Sequence, residues 1–288
     1  MSPWSGPDAV QEVDFYEVAM ANGDPAFVWA PSSGADLPLV VLIHGSHTHP
    51  QMYTHYASII ASHGFVVVAP EQQRELFGDF AHYPQQAFVN WAIAVAETEN
   101  AREWSPVQGR IDTSSILITG HSMGGGVTLG IASNFAQPWL SDDEWSMPEG
   151  LVAVVVNGTH NIPPPRTGDP LPVNNLVPIA FVQGSVDSVV TLDQVKRTFD
   201  VVEGVRPFFY VEVAGGNHFF ITDQDNPEGC NPDKNPMELE QELSVLSAAT
   251  WTALWFRANL GDDAAMQMLR TGPDPETEPH LRTRFVEP

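Results

Sequence analysis

The stretch Ile118-Thr119-Gly120-His121-Ser122-Met123-Gly124-Gly125-Gly126, ITGHSMGGG, decides how this chain is read. An apolar run ending at Thr119 leads straight into a serine with a glycine two residues before it and another two residues after. Glycine is poor in strands and in helices, so glycines gathered at such a junction point to a backbone that side chains would obstruct. The residues downstream, Gly124 to Ala136, have a helical pattern. The expected order is therefore strand, sharp turn, helix, with the serine at the turn.

Working outward, short β-branched runs alternate with longer helical patterns along the whole chain. Strand-like runs occupy 27–30, 39–43, 65–69, 116–119, 151–156, 179–182 and 208–213. Four of them, LVVLI, FVVVA, LVAVVV and IAFV, are almost continuously apolar, as strands buried on both faces of a parallel sheet are. Helical patterns cover 53–62, 84–99, 124–136, 192–202 and 237–258. This alternation predicts an α/β fold: a mostly parallel central sheet with helices on both faces. No repeat or linker divides the chain, so one domain over 1–288 is expected, with a loosely ordered tail at 271–288. Three long polar loops, 134–150, 157–178 and 222–236, decorate it.

In this setting G-x-S-x-G matches the nucleophile-elbow pattern, in which a strained turn at a strand's carboxyl end presents the serine hydroxyl to a helix N-terminus. A serine hydroxyl needs a base, and the base needs an orienting carboxylate. The chain supplies both in the order Ser, Asp, His. Asp187 follows the run PIAFVQG, and His218 follows FFYVEVAGG. His44, His47 and His121 precede or adjoin the serine, and His160 comes before any acid that could orient it. Asp193 and Asp200 fall inside a helical pattern. For a tetrahedral oxyanion, Met123 N–H is the first expected donor and Ser46 N–H, from the loop after LVVLIHG, the second, with His47 N–H a close alternative to Ser46.

With Ser122, Asp187 and His218 in place, the chain resembles the α/β-hydrolase superfamily over nearly its whole length. The segments ASHGFVVVAPE (61–71), GHSMGGG (120–126), GSVDSVV (184–190) and GGNHFF (215–220) resemble those of cutinases, polyester hydrolases and chlorophyllase-like and platelet-activating-factor acetylhydrolase-like esterases. That resemblance implies hydrolysis of carboxylic esters through an acyl-serine on Ser122, with no cofactor and no large lid. Polyester hydrolases usually carry an aromatic residue where Ser46 stands and a tryptophan where His160 stands. These departures imply another acyl group, or a wall built by Trp139 or Trp145. His47, His121 and Phe219 are further candidates for substrate contact. A dienelactone hydrolase would carry cysteine at the elbow. A binding module on the same scaffold is the alternative outside enzymes, though a binder has no need of all three residues together.

Composition sets the remaining expectations. Twelve basic residues against 36 acidic ones give a net charge of −24, which disfavours nucleic acid and anionic membranes and favours small or polymeric neutral esters as substrates. So acidic a surface also suits high salt, where carboxylate repulsion is screened. Cys230 is the only cysteine, so no intrachain disulfide forms. His44, His47, His49 and His55 cluster in sequence, and the 222–236 loop is rich in oxygen ligands, but neither has the spacing of a known site, and no metal is expected. No segment is long and apolar enough to span a bilayer. The opening MSPWSGPDAVQEV lacks the basic and apolar regions of a signal peptide, which leaves export of an already processed chain open.

Overall fold

The computed structural model describes residues 11–137, 139–141, 143–163 and 165–287. Most of the opening MSPWSGPDAVQEV lies outside them. The first half of the chain forms β1 (Val13–Ala19), β2 (Pro25–Pro31), β3 (Leu37–Ile43), α1 (Thr54–Ser62), β4 (Val66–Pro70), β5 (Gln73–Leu76), β6 (Asp79–His82), α2 (Phe88–Ala101) and β7 (Ile111–His121). Next come α3 (Met123–Ala132), β8 (Leu151–Asn157), β9 (Val173–Asn175), β10 (Ile179–Gly184), α4 (Leu192–Asp200), β11 (Val202–Gly204) and β12 (Phe208–Val213). The chain ends with α5 (Gln241–Asn259), α6 (Asp263–Thr271) and β13 (Leu281–Val286).

Nine strands make one sheet in the order β1-β2-β4-β3-β7-β8-β10-β12-β13. The run from β4 to β12 is parallel throughout, while β1, β2 and β13 pair antiparallel. Side chains along each central strand alternate between two cores. Leu39, Val41 and Ile43 of β3 join the cluster that α2, α3 and α4 cover, and Val40 and Leu42 join the one under α1, α5 and α6. Both faces are covered, which is why these strands read as continuous apolar runs. In α5, Trp251 and Trp255 stack on Phe209 of β12 with centroids 5.8 Å apart, and the Trp255 indole donates to the Val154 carbonyl at 3.1 Å. This is the α/β-hydrolase fold.

The structure corrects the sequence reading at the sheet edges. The tail at 271–288 is not loose: Leu281–Val286 forms β13, registered along β12 from Val213↔Leu281 to Phe208↔Val286. Strand β1 was likewise not legible. Both edge strands interleave charged residues with apolar ones (VDFYEVA and LRTRFV), and charge on an edge strand blocks pairing with another chain while hiding the strand signal. Helix α3 stops at Ala132 rather than Ala136, because Asn134 takes a left-handed φ of 48°.

Parallel register decides the function of this sheet. Ile43 pairs Gly120, Gly120 pairs Val156, and His121 pairs Asn157. The strands that precede Ser46, Ser122, His160, Asp187 and His218 therefore all end at one edge, and their loops share it.

Candidate active site

Ser122 joins β7 to α3 with φ 53° and ψ −116°, a backbone that a non-glycine residue adopts only when its surroundings impose it. Packing imposes it here. A Cβ at Gly120 would overlap the Gly124 carbonyl and Thr128, and one at Gly124 would overlap the carbonyls of Ile43 and His44. Only glycine lets strand, helix and the loop after β3 approach so closely. Asn157, fully buried, holds the turn from the next strand: its carbonyl accepts Ser122 N–H at 2.8 Å, and its side-chain amide donates to Thr119 at 3.0 Å and to the Gly120 carbonyl at 3.2 Å.

The hydroxyl of Ser122 lies 2.9 Å from His218 Nε2, and His218 Nδ1 lies 2.8 Å from Asp187 Oδ2. Asp187 and His218 are both buried. The carboxylate of Asp187 is held on every side: Oδ1 accepts the N–H groups of Val189 and Val190 at 2.8 and 2.7 Å, and Oδ2 also accepts Gln183 Nε2 at 3.2 Å. With Nδ1–H donating to this carboxylate, Nε2 turns its lone pair to the serine.

Asp233, in the 222–236 loop, braces the two loops behind this pair. It accepts the His218 N–H at 2.8 Å, the Ser188 N–H at 3.1 Å and the Asn235 N–H at 2.8 Å, and it accepts the Ser188 hydroxyl as well. Partial burial works against its charge, but the Ser188, Asn235 and His218 hydrogen bonds outweigh it and hold the carboxyl below the usual range. In the same loop Asp225 accepts the Asn217 amide at 2.6 Å, and Asp223 accepts the His55 N–H at 3.0 Å. The oxygen-rich composition of this segment serves main-chain and amide donors. Sequence reasoning did not connect Asp233 to the site, because only the folded loop brings it to residues 188 and 218.

Met123 opens α3, so its N–H has no intrahelical acceptor. Ser46 lies in the turn closed by the Thr48 hydroxyl on the Gly45 carbonyl at 2.8 Å, and a Cβ on Gly45 would stand 3.4 Å from that of Ser122. Ser46, Ser122, Met123 and His218 line one cavity of about 1070 Å³. The Ser46 hydroxyl turns to His47 Nδ1 at 2.7 Å.

Of the side chains expected at the substrate, His121, His160, Trp139 and Phe219 line the cavity. Trp139 is 60% exposed and meets Phe77, 69% exposed, at 6.0 Å, so the two rings form an aromatic rim. Phe77 comes from the β5–β6 hairpin, which sequence reasoning did not recognise. Two of the candidates do not line it. Trp145 packs against the core under α2, and His47 turns its Nε2 to Asp79 at 2.8 Å. Of the other clustered histidines, His44 points to the Gly45 carbonyl at 2.7 Å and His49 accepts the Gln51 N–H at 3.2 Å, while both rings stand edge-on to His82 at 6.5 and 5.3 Å. Among the described residues no three histidine, cysteine or carboxylate side chains are grouped to hold a metal, and no helix is long and apolar enough to cross a membrane.

Comparison with known proteins gives the family. The chlorophyllase family model matches residues 7–162, a little over half of the chain, which takes in the Ser46 loop and the Ser122 elbow. A chlorophyllase type 0 of Chenopodium album is 29% identical over 119 residues, 39% of this chain and 33% of that protein. Cutinase 1 of Thermobifida cellulosilytica is 28% identical over 151 residues, 49% of this chain and 55% of the relative. Cutinase est1 of Thermobifida alba reaches 36% over 94 residues, 30% of each chain. The chain thus spans between about a third and about half of the curated relatives it matches. On the strength of the family match and the fold, this chain belongs to the chlorophyllase family.

Proposed function

We propose that the protein hydrolyses carboxylic esters through an acyl-serine intermediate. The observation that carries this reading is the hydrogen-bonded series Ser122–His218–Asp187 at 2.9 and 2.8 Å, with the strained serine lining a cavity of about 1070 Å³. In the proposed mechanism Ser122 Oγ attacks the ester carbonyl as His218 Nε2 takes its proton. Asp187 keeps Nδ1 protonated and faces the imidazolium that forms. The N–H groups of Met123 and Ser46 receive the developing oxyanion, and removal of one such donor commonly costs about 10²–10³-fold in rate. His218 then returns its proton to the leaving alcohol. In the second half-reaction His218 takes a proton from water, whose oxygen attacks the acyl carbon, and the acid leaves as Ser122 regains its hydrogen.

The apolar lining from Leu129, Phe135, Leu140 and Ile162, with the rim of Phe77 and Trp139, supports a substrate with an apolar body. Relatives named chlorophyllase and cutinase support the ester-hydrolase class. The test is turnover of p-nitrophenyl esters from acetate to long chains, beside labelling with a fluorophosphonate. Wild-type protein should show both, and Ser122→Ala neither. Ester turnover that survives in Ser122→Ala would remove the mechanism.

A further inference from the structure

The cavity in front of Ser122 departs from the charge pattern of the rest of the chain. Acidic residues outnumber basic ones 36 to 12 overall, yet no aspartate or glutamate lines this cavity among the described residues. The one permanently charged group in the lining is the guanidinium of Arg166. Arg102, Arg197, Arg270 and Arg284 each find a carboxylate, but Arg166 forms no ion pair among the described residues. Its main chain is pinned in an uncommon conformation, φ 67°, by its N–H on the Pro163 carbonyl at 2.8 Å and by Gln194 Nε2 on its own carbonyl at 3.3 Å. His160 belongs to the same loop and the same lining. Its Nδ1 accepts the Ile162 N–H at 3.0 Å, so the ring proton sits on Nε2 and the ring brings a donor to this wall. Burial, and after it the charge of Arg166, lowers its pKa to about 4, so the ring stays neutral in ordinary buffers.

We propose that Arg166 and His160 form a subsite for a carboxylate, and that the preferred substrates are esters carrying a second, free carboxyl group, such as half-esters of dicarboxylic acids. This rests on the serine-esterase reading given above. A guanidinium meets a carboxylate through two parallel N–H bonds, and a cavity of about 1070 Å³ has room for an ester and a carboxylate joined by an apolar spacer among Ile162, Leu171 and Val189. The expectation that the acidic surface selects neutral esters is thereby reversed inside the cavity. Remote surface charges are screened over about 8 Å at physiological salt, whereas Arg166, although itself an exposed residue, acts at contact with a bound ligand. Each turnover consumes one water and yields the alcohol and a dicarboxylic acid, whose new carboxyl group releases a proton at neutral pH.

The experiment compares mono-p-nitrophenyl suberate with its methyl-capped diester, in wild-type, Arg166→Gln and Arg166→Glu proteins at low salt. The ratio of kcat/KM, anionic over capped, should exceed one in wild type. It should fall about tenfold in Arg166→Gln, the scale of one charge-assisted contact, and invert in Arg166→Glu. A ratio equal in all three proteins would overturn the subsite. In parallel, monomethyl suberate binding is measured by calorimetry on Ser122→Ala, with and without Arg166→Gln. Absence of turnover with Arg166-dependent binding intact would sink the esterase reading alone. Binding that ignores Arg166 sinks the subsite whatever the turnover.

Discussion

The hydroxyl of Tyr53 lies 2.8 Å from Nδ1 of His121 and joins the loop before Ser46 to the main chain of His218. The same hydroxyl accepts the Gly45 N–H at 3.1 Å, and His121 Nε2 meets the His218 carbonyl at 2.8 Å. A carbonyl only accepts, so Nε2 holds the ring proton. Burial first, and the neighbouring His218 second, hold His121 well below the usual histidine range, so the ring is neutral and its bare Nδ1 faces the tyrosine hydroxyl, which also donates to Thr48 Oγ1 at 2.8 Å. The proposed oxyanion loop and the proposed base are thus positioned by one buried series of bonds. Tyr53→Phe keeps the ring and strips partners from Gly45 N–H and His121 Nδ1. Stability should fall by about 1–3 kcal/mol in denaturant melts. On a p-nitrophenyl ester kcat should drop about tenfold with KM little changed, since both groups act after binding. An unchanged kcat would mean that the two are positioned independently.

Strain at the elbow gives a second expectation. Ser122 holds φ 53° and ψ −116°, at a cost of about 1–3 kcal/mol for a residue with a Cβ. Glycine removes that cost, partly offset by its greater freedom in the unfolded chain. Ser122→Gly should therefore be more stable than Ser122→Ala by about 1 kcal/mol, with both lacking ester turnover. Chemical denaturation of the pair checks it, and equal stability would show that the turn is unstrained.

Asp233 should behave as a positioning residue. Asp233→Ala frees the N–H groups of His218, Ser188 and Asn235 together, so the Asp187 and His218 loops lose their shared anchor. Stability should fall by about 2–3 kcal/mol. Rates normalised to fluorophosphonate-titrated sites should fall at least tenfold. If only the number of titratable sites falls, with full kcat per site, Asp233 supports folding alone.

Legibility in the sequence followed the physics of each element. The positions of Ser122, Asp187 and His218 could be named because each follows an apolar run of a parallel sheet, and parallel strands end together. Tyr53 and His121 are 68 residues apart, and Asp233 reaches Ser188 across 45, so their pairing depends on loop paths that no local pattern encodes. Trp139 and Trp145 share one loop and look equivalent in sequence. Yet one stands at the cavity rim and the other against the core. That Arg166 forms no ion pair among the described residues shows only after folding.

Buried histidines set the acid limit of the fold. His44 is fully buried, and burial lowers its pKa to about 3; His121 is likewise held well below the normal value, again mainly by burial. Unfolded, both titrate near the ordinary value of about 6.5. Below that pH the unfolded chain takes up protons that the native state refuses, so stability is complete above about 6.5 and declines as pH falls toward 3. His44 contributes roughly 1.4 kcal/mol per pH unit across that window, and His121 acts in the same direction. Melting temperature should accordingly fall between pH 6.5 and 4 with no plateau, and the slope should be shallower in His44→Gln, which carries no titrating ring. A melting temperature flat down to pH 4 in the wild type would show that these rings protonate in the native state, and that water reaches His44.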